Sequence, residues 1–155
     1  MWYRYFAEVL GFLAVGSFLL GAVSTAWAQD KQPHEKHAAH IDHCAKACAE
    51  CMRECESCLR HCADLIAVGQ KDHIITAGTC SDCSELCAAA AKIVSHRGPM
   101  AGMICECCAK ACDTCSAVCE KFPDDEHMKH CAKACRDCST ACREMLKHVG
   151  QAQDK

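Results

Sequence analysis

The sequence predicts an all-α protein, an antiparallel up-down-up-down four-helix bundle with a cysteine-lined core. Three observations predict it. Four long segments carry thiol or apolar residues at alternating three- and four-residue steps, the period of a buried helical seam. Turn-forming residues gather near positions 70, 97 and 123, leaving connections of a few residues that suit antiparallel neighbours. And 19 of the 155 residues are cysteine, placed in the seam where a soluble bundle normally carries leucine.

Residues 1–28 read as an export signal. A single basic residue, Arg4, precedes an apolar run from Val9 to Val23, and Ala26-Trp27-Ala28 before Gln29 forms a small-x-small cleavage site. Glu8 and that site argue against a retained anchor, so no stable membrane insertion is expected after cleavage. No Arg-Arg pair precedes the apolar core, which favours the export route for unfolded chains over the twin-arginine one. These features predict a periplasmic or other extracytoplasmic location. The remaining chain suits one domain. Its formal net charge of -3 gives it no strong attraction to nucleic acid or anionic membrane.

Residues 29–41 form a His-rich N-terminal arm, with His34, His37, His40 and then His43 at three-residue spacing. The bundle is expected over 42–150, followed by a polar tail, 151–155. The first helix is predicted over 42–68, with Asp42 as N-cap and Gly69 as C-cap. Its seam is Cys44, Cys48, Cys51, Cys55, Cys58 and Cys62, and a flanking stripe of Ala45, Met52, Leu59 and Ile66 widens the apolar face. The second helix, 72–95, continues the seam as Thr76, Cys80, Cys83, Cys87, Ala90 and Val94 and stops at the turn His96-Arg97-Gly98-Pro99. The third, 100–121, carries Cys105, Cys108, Cys112, Cys115 and Cys119, with Cys107 beside the seam. Phe122-Pro123-Asp124-Asp125-Glu126 separates it from the fourth, 125–149, for which Asp124 is the expected N-cap. That helix carries Cys131, Cys135, Cys138 and Cys142, then Met145 and Val149 in phase. KHCAKACRDCSTAC at 129–142 resembles DHCAKACAECMREC at 42–55, a visible internal repeat.

A cysteine-dense exported chain first suggests disulfides, but helical geometry opposes them. Cysteines at i and i+4 have Cβ atoms about 5–6 Å apart, whereas a disulfide requires about 3.8 Å. Two thiolates with a metal ion between them fit the longer separation. Soft thiolates select Cu(I), Zn(II) or iron–sulfur clusters. The bacterial iron–sulfur motif is absent, and zinc usually sits in CxxC knuckles whose backbone wraps the ion. Rows of thiols on stiff helices suit two- or three-coordinate Cu(I). Charge agrees: one Cu(I) per thiolate leaves a neutral core, while a Zn(Cys)4 unit buries two negative charges. All 19 cysteines are therefore candidate ligands for multiple Cu(I) ions. The alternatives are a zinc or cadmium thiolate buffer, or a disulfide-bonded structural or redox protein of the envelope. No catalytic residue stands out, because no isolated Cys–His pair departs from the array.

The antiparallel order predicts two unlike ends. Leu65, Ile66, Ile74, Ile75 and Phe122 are expected to plug the end holding the first and third turns, with His61, His73, His127 and His130 as solvated neighbours. At the other end His37, His40 and His43 meet His96, Met100, Met103, Met145 and His148. His37, His40, His43, Met100, Met103 and Met145 are the candidate entrance, since thioethers and imidazoles hold Cu(I) less tightly than thiolates and can pass it inward.

The motifs CAKACAECMRECESCLRHC at 44–62, CSDCSELC at 80–87, CECCAKACDTCSAVC at 105–119 and CAKACRDCSTAC at 131–142 resemble those of the copper storage proteins, a family of cysteine-lined four-helix bundles found inside and outside the bacterial cytoplasm. The resemblance spans nearly the whole chain after residue 28. It implies that Cys44 with Cys48, Cys51 with Cys55, Cys58 with Cys62, Cys83 with Cys87, Cys108 with Cys112, Cys115 with Cys119, Cys131 with Cys135 and Cys138 with Cys142 are the family's CxxxC pairs. It also implies a largely preformed metal-free bundle whose interior cysteines bind many Cu(I) ions, and a homo-oligomer, a tetramer in exported members; the storage reading adds copper-loading or copper-accepting proteins as expected partners.

Overall fold

Four helices follow in order: α1 Gln32–Ala67, α2 Ile74–Ser95, α3 Ala101–Cys119 and α4 Glu126–Val149, with a short 3-10 turn, Lys71–His73, ahead of α2. The structure, a computed structural model, describes the backbone of residues 32–149 and the side chains of 38–148. The expected signal at 1–28 and tail at 151–155 lie outside the described residues. Among those described there is no strand, and no helix is long and apolar enough to cross a membrane.

α1 packs against α2 and α4, and α3 packs against the same two. The helices thus form a square with α1 and α3 on one diagonal, the up-down-up-down bundle the seam predicts. The core is made largely of cysteine. Alanines flank it: Ala45, Ala90, Ala109, Ala132 and Ala141 are all buried. Small side chains at these positions let the helix axes approach closely, which brings thiols of opposite helices within reach across the centre. Met52 and Leu59 from the flanking stripe are partly buried against this core.

The ends of the elements correct several expectations. α1 starts at Gln32, so residues 32–41 are helical and Asp42 is an interior, exposed residue instead of an N-cap. Gly69 does terminate α1: it adopts φ 95°, and the Gln70 and Gly69 amides donate to the Leu65 and Ile66 carbonyls at 3.0 and 2.9 Å, the Schellman pattern. α2 ends the same way, with the Gly98 and Arg97 amides donating to Ile93 and Val94. Here the left-handed position falls on Arg97, φ 54°, and not on the adjacent Gly98. For α4 the cap is Asp125, whose Oδ1 accepts the Met128 amide at 3.2 Å; Asp124 lies one residue too early to reach it.

The expected apolar plug is also different. Ile74 and Ile75 are 52% and 71% exposed. They lie just ahead of Thr76, where the α2 seam begins, and point away from it. The residues that close this end are Met128, His73 and Thr76, all buried. His73 is therefore not solvated; its ring stacks on Phe122 with centroids 4.2 Å apart.

Arg97 holds a left-handed conformation that costs a residue with a Cβ roughly 1–2 kcal/mol relative to glycine, partly offset by glycine's greater unfolded-state freedom. Arg97→Gly is expected to stabilise the reduced, metal-free bundle by roughly 0.5–1 kcal/mol, read as a higher urea midpoint. A lower midpoint contradicts this account of the turn.

Candidate metal centre

Every cysteine except Cys107 is buried. Their seam positions on four helices converge on one axis, and the resulting contacts run mostly between helices. Across the α1–α3 diagonal the sulfurs of Cys44 and Cys105 are 3.6 Å apart and those of Cys51 and Cys112 3.8 Å. Across the α2–α4 diagonal Cys80 and Cys131 are 4.0 Å apart. Neighbouring helices add Cys87 to Cys108 at 3.5 Å, Cys80 to Cys115 at 3.7 Å and Cys48 to Cys138 at 3.6 Å. Contacts within one helix lie at the long end of this range: Cys51–Cys55, Cys83–Cys87 and Cys108–Cys112 are each 4.0 Å. The CxxxC spacing places the thiols, but their nearest partners come from other helices.

The thiols also form four-membered groups, where the sequence suggested rows. Cys58, Cys80, Cys119 and Cys131 form one group, with one thiol from each helix. Another is Cys51, Cys83, Cys87 and Cys112; a third is Cys55, Cys115, Cys131 and Cys135. In each group all four sulfurs lie within 4.8 Å of one another. The groups overlap: Cys51 recurs in a set with Cys55, Cys83 and Cys135, and Cys131 belongs to two sets. With metal–sulfur bonds of about 2.3 Å, sulfurs stand about 3.8 Å apart around a tetrahedral ion, about 4.0 Å around a trigonal one and about 4.6 Å across a linear one. The observed 3.5–4.0 Å contacts match the first two.

Hydrogen bonding sorts the thiols electrostatically. Cys51 is pulled down to about 7, with its hydrogen bond to Cys112 the largest cause. Cys119 is pulled down to about 5, chiefly by Cys115. Cys55 and Cys112 are pushed upward, mainly by their hydrogen bonds to Cys115 and Cys108, so they hold their protons. At the end of the column Cys62 is raised to about 11, with burial the main cause.

Sequence reasoning missed several residues around this array. Met128 is fully buried, and the Cys58 thiol donates to its Sδ at 3.5 Å. The signal was present, since Met128 lies three residues ahead of Cys131 in seam phase. Ser84, Ser116 and Ser139 are buried, and each follows the second cysteine of a C-x-x-C-S-x-x-C repeat. Ser84 donates to Glu56 of α1 at 2.6 Å, and Ser139 of α4 donates to Asp113 of α3 at 2.6 Å. Arg143 pairs with the same Asp113 carboxylate. These bonds tie α1 to α2 and α3 to α4 just outside the thiols.

The two ends carry the expected donors in unexpected arrangements. His61 is half-buried, its Nε2 2.6 Å from Asp125 Oδ2, and its ring stacks on exposed His127. At the opposite end Met145 is buried, while Met100 and Met103 are 55% and 71% exposed. His40 stacks on His148 with centroids 3.9 Å apart, and His43 is exposed. The side chain of His37 lies outside the described residues. The structure does not bring Cys107 to the other thiols.

A family model described as copper storage protein matches residues 27–147. The chain belongs to the copper storage protein family. Among solved structures it is similar to the Cu(I)-bound copper storage protein BsCsp3, with 32% identity over 69% of this chain and 98% of that one and a TM-score of 0.65. The apo form of copper storage protein 3 from Bacillus subtilis matches with 32% identity over 67% and 96% of the two chains and a TM-score of 0.60. A cytosolic copper storage protein from Streptomyces lividans, in a copper-loading form with five coppers, matches with 26% identity over 73% and 97% and a TM-score of 0.67. A comparison with curated proteins gives no match. These relatives bear out the expected fold and the expected cargo, multiple Cu(I) ions. They overturn the location expected from residues 1–28: a similar member of the family is cytosolic, so the extracytoplasmic reading is withdrawn.

The raised Cys62 makes stability depend on pH with a definite sign. Its ordinary value is 9.0 and its folded value about 11, so the folded state holds a proton that the unfolded state releases between them. Its contribution is complete below pH 9 and disappears as pH rises toward 11. The urea midpoint of the reduced, metal-free protein is expected to fall more steeply over that window in the native chain than in Cys62→Ala. Parallel declines in the two proteins contradict the assignment.

Proposed function

We propose that the protein is a non-catalytic store that binds Cu(I) in bulk on Cys44, Cys48, Cys51, Cys55, Cys58, Cys62, Cys80, Cys83, Cys87, Cys105, Cys108, Cys112, Cys115, Cys119, Cys131, Cys135, Cys138 and Cys142. The observation that carries this reading is the sharing of thiols between overlapping four-sulfur groups. An isolated four-thiolate site uses each sulfur once, so overlapping groups hold separate ions only where thiolates bridge. A thiolate that bridges two Cu(I) ions serves both, and overlapping groups then become one continuous cluster. One monovalent ion per thiolate also neutralises a core that has no cationic side chain among its buried residues. The array thereby keeps free Cu(I) away from other thiols and holds it for copper-accepting proteins.

A zinc buffer is the second reading, favoured by the group Cys58, Cys80, Cys119 and Cys131, which gathers four thiols, one from each helix, within 4.8 Å of one another. Stoichiometry separates the two. Anaerobic titration of reduced protein with Cu(I) against a chromophoric chelator is expected to saturate on the order of one ion per cysteine. Saturation at a handful of ions favours the closed tetrahedral sites.

Copper enters this store, in our reading, at the end formed by the start of α1, the α2–α3 turn and the end of α4. The support is the series of weaker donors there: exposed Met100 and Met103, the His40–His148 pair with exposed His43 one turn from His40, and buried Met145 three residues beyond Cys142. Replacing Met100, Met103 and Met145 together by leucine is expected to slow Cu(I) uptake, followed by stopped-flow transfer from a chelator, without lowering the capacity of the core. An unchanged rate removes this entrance. The proposal includes a homo-oligomer and copper-loading partners, for which exposed Val68, Ile74 and Ile75 offer an apolar contact surface.

A further inference from the structure

One thiol is left over. Cys107 is exposed while the other 18 cysteines of the chain are buried, so packing does not account for it. Its helical neighbours are also sulfur residues. Met103 lies four positions before it and Met100 three before that, which puts Met100, Met103 and Cys107 on one face of α3 and its N-terminal cap. That face is turned roughly 130° from the direction of Cys105, Cys108, Cys112, Cys115 and Cys119. The three sulfurs therefore lie outside the core, on a face of α3 that the seam cysteines do not share.

The methionines are not there to fill a gap. Met128 and Met145 are fully buried and Met52 packs partly against the core, whereas Met100 and Met103 are the large apolar residues exposed at the start of α3. The other apolar residues of that outer side, Ile104, Ala111 and Val118, are partly buried against the core. At the start of α3 the large side chains that reach solvent on this side carry sulfur, and exposed Lys110 and Thr114 follow them along the same face. An exposed thiol beside two exposed thioethers is an unusual set for a surface and a suitable one for a soft monovalent ion.

We propose that Met100, Met103 and Cys107 form a separate, solvent-facing Cu(I) site with two thioether ligands and one thiolate. On binding, Cu(I) leaves the chelator or protein that delivers it, a copper–sulfur bond forms at Cys107, and the thiol proton passes to water; copper keeps its oxidation state. The bound unit is neutral, since one thiolate balances one monovalent ion. Zn(II) leaves a net positive charge on the same ligands and gains little from thioethers, so this site discriminates between copper and zinc more sharply than the four-thiol groups do. Two of its three donors are weaker than thiolate, so it fills after the core at equilibrium and exchanges its ion more readily. This inference rests on the Cu(I) reading above and gives Cys107 a role the buried array does not use.

The test reads Cys107 alone. In the folded, reduced protein a maleimide is expected to modify Cys107 first, identified by peptide mass. After the core is filled, further Cu(I) delivered as its bicinchoninate complex is expected to slow that modification about tenfold or more, because a metal-bound thiolate is a poor nucleophile. Zn(II) at the same concentration is expected to leave it fast. The double variant Met100→Leu/Met103→Leu is expected to lose the protection while keeping core capacity, and Cys107→Ala to bind one ion fewer than the native chain.

Several results overturn the proposal: an unchanged rate with Cu(I), protection that survives in the double variant, or equal protection by Zn(II). Slow modification already in the copper-free protein, together with a doubled mass in solution, does so as well and assigns this face to contact with a second copy. A low total capacity in the native chain and Cys107→Ala alike counts against the core store, whereas the copper dependence of Cys107 modification is read separately.

Discussion

The structure depends on sulfur-to-sulfur packing along the bundle axis. Thiols from four helices meet at 3.5–4.0 Å, and the same contacts serve as the packing of the core and the spacing of a metal array. Cysteine is smaller than leucine and buries less apolar area, so a thiol column contributes less to folding than a leucine column of equal length. The flanking stripe and the two buried methionines of α4 supply part of the difference. A ligand that binds the folded array more tightly than the unfolded chain adds to stability in proportion to that difference.

That constraint explains the second layer. If thiols are to meet across both diagonals, the helix axes must lie close together, and the positions beside the seam must be small or must bond. Buried alanines meet the first requirement. The serines of the C-x-x-C-S-x-x-C repeats meet the second, because Ser84 to Glu56 and Ser139 to Asp113 connect adjacent helices without adding bulk. The thiols are in turn electrostatically unlike one another, with Cys51 shifted downward mainly by its hydrogen bond to Cys112 and Cys62 shifted upward mainly by burial.

The two ends are built from different materials. Around Met128 and His73 the bundle is closed by buried side chains, with His61 and Asp125 bonding α1 to α4. Around Met145 the closing residue is again a thioether, but exposed methionines and paired imidazoles lie beyond it. The thiol column thus ends in exposed thioethers and stacked imidazoles on one side and in buried side chains on the other.

The sequence by itself determined the helix count, the seam and the burial of every seam cysteine, because a three-four period admits one buried face and the turn residues near 70, 97 and 123 leave no room for long connections. It also marked Cys107 as out of phase. Only the tertiary structure decided which thiols meet, since the closest sulfur partners lie on other helices and depend on axial stagger, a quantity no local period carries. The same stagger hid the role of Met128, whose partner Cys58 is 70 residues away, and turned Ile74 and Ile75 outward through the 3-10 turn before α2. The boundaries went astray for a simpler reason: Asp42 and Asp124 have the right chemistry for a cap, but an acidic side chain caps a helix only where the backbone in fact begins to turn.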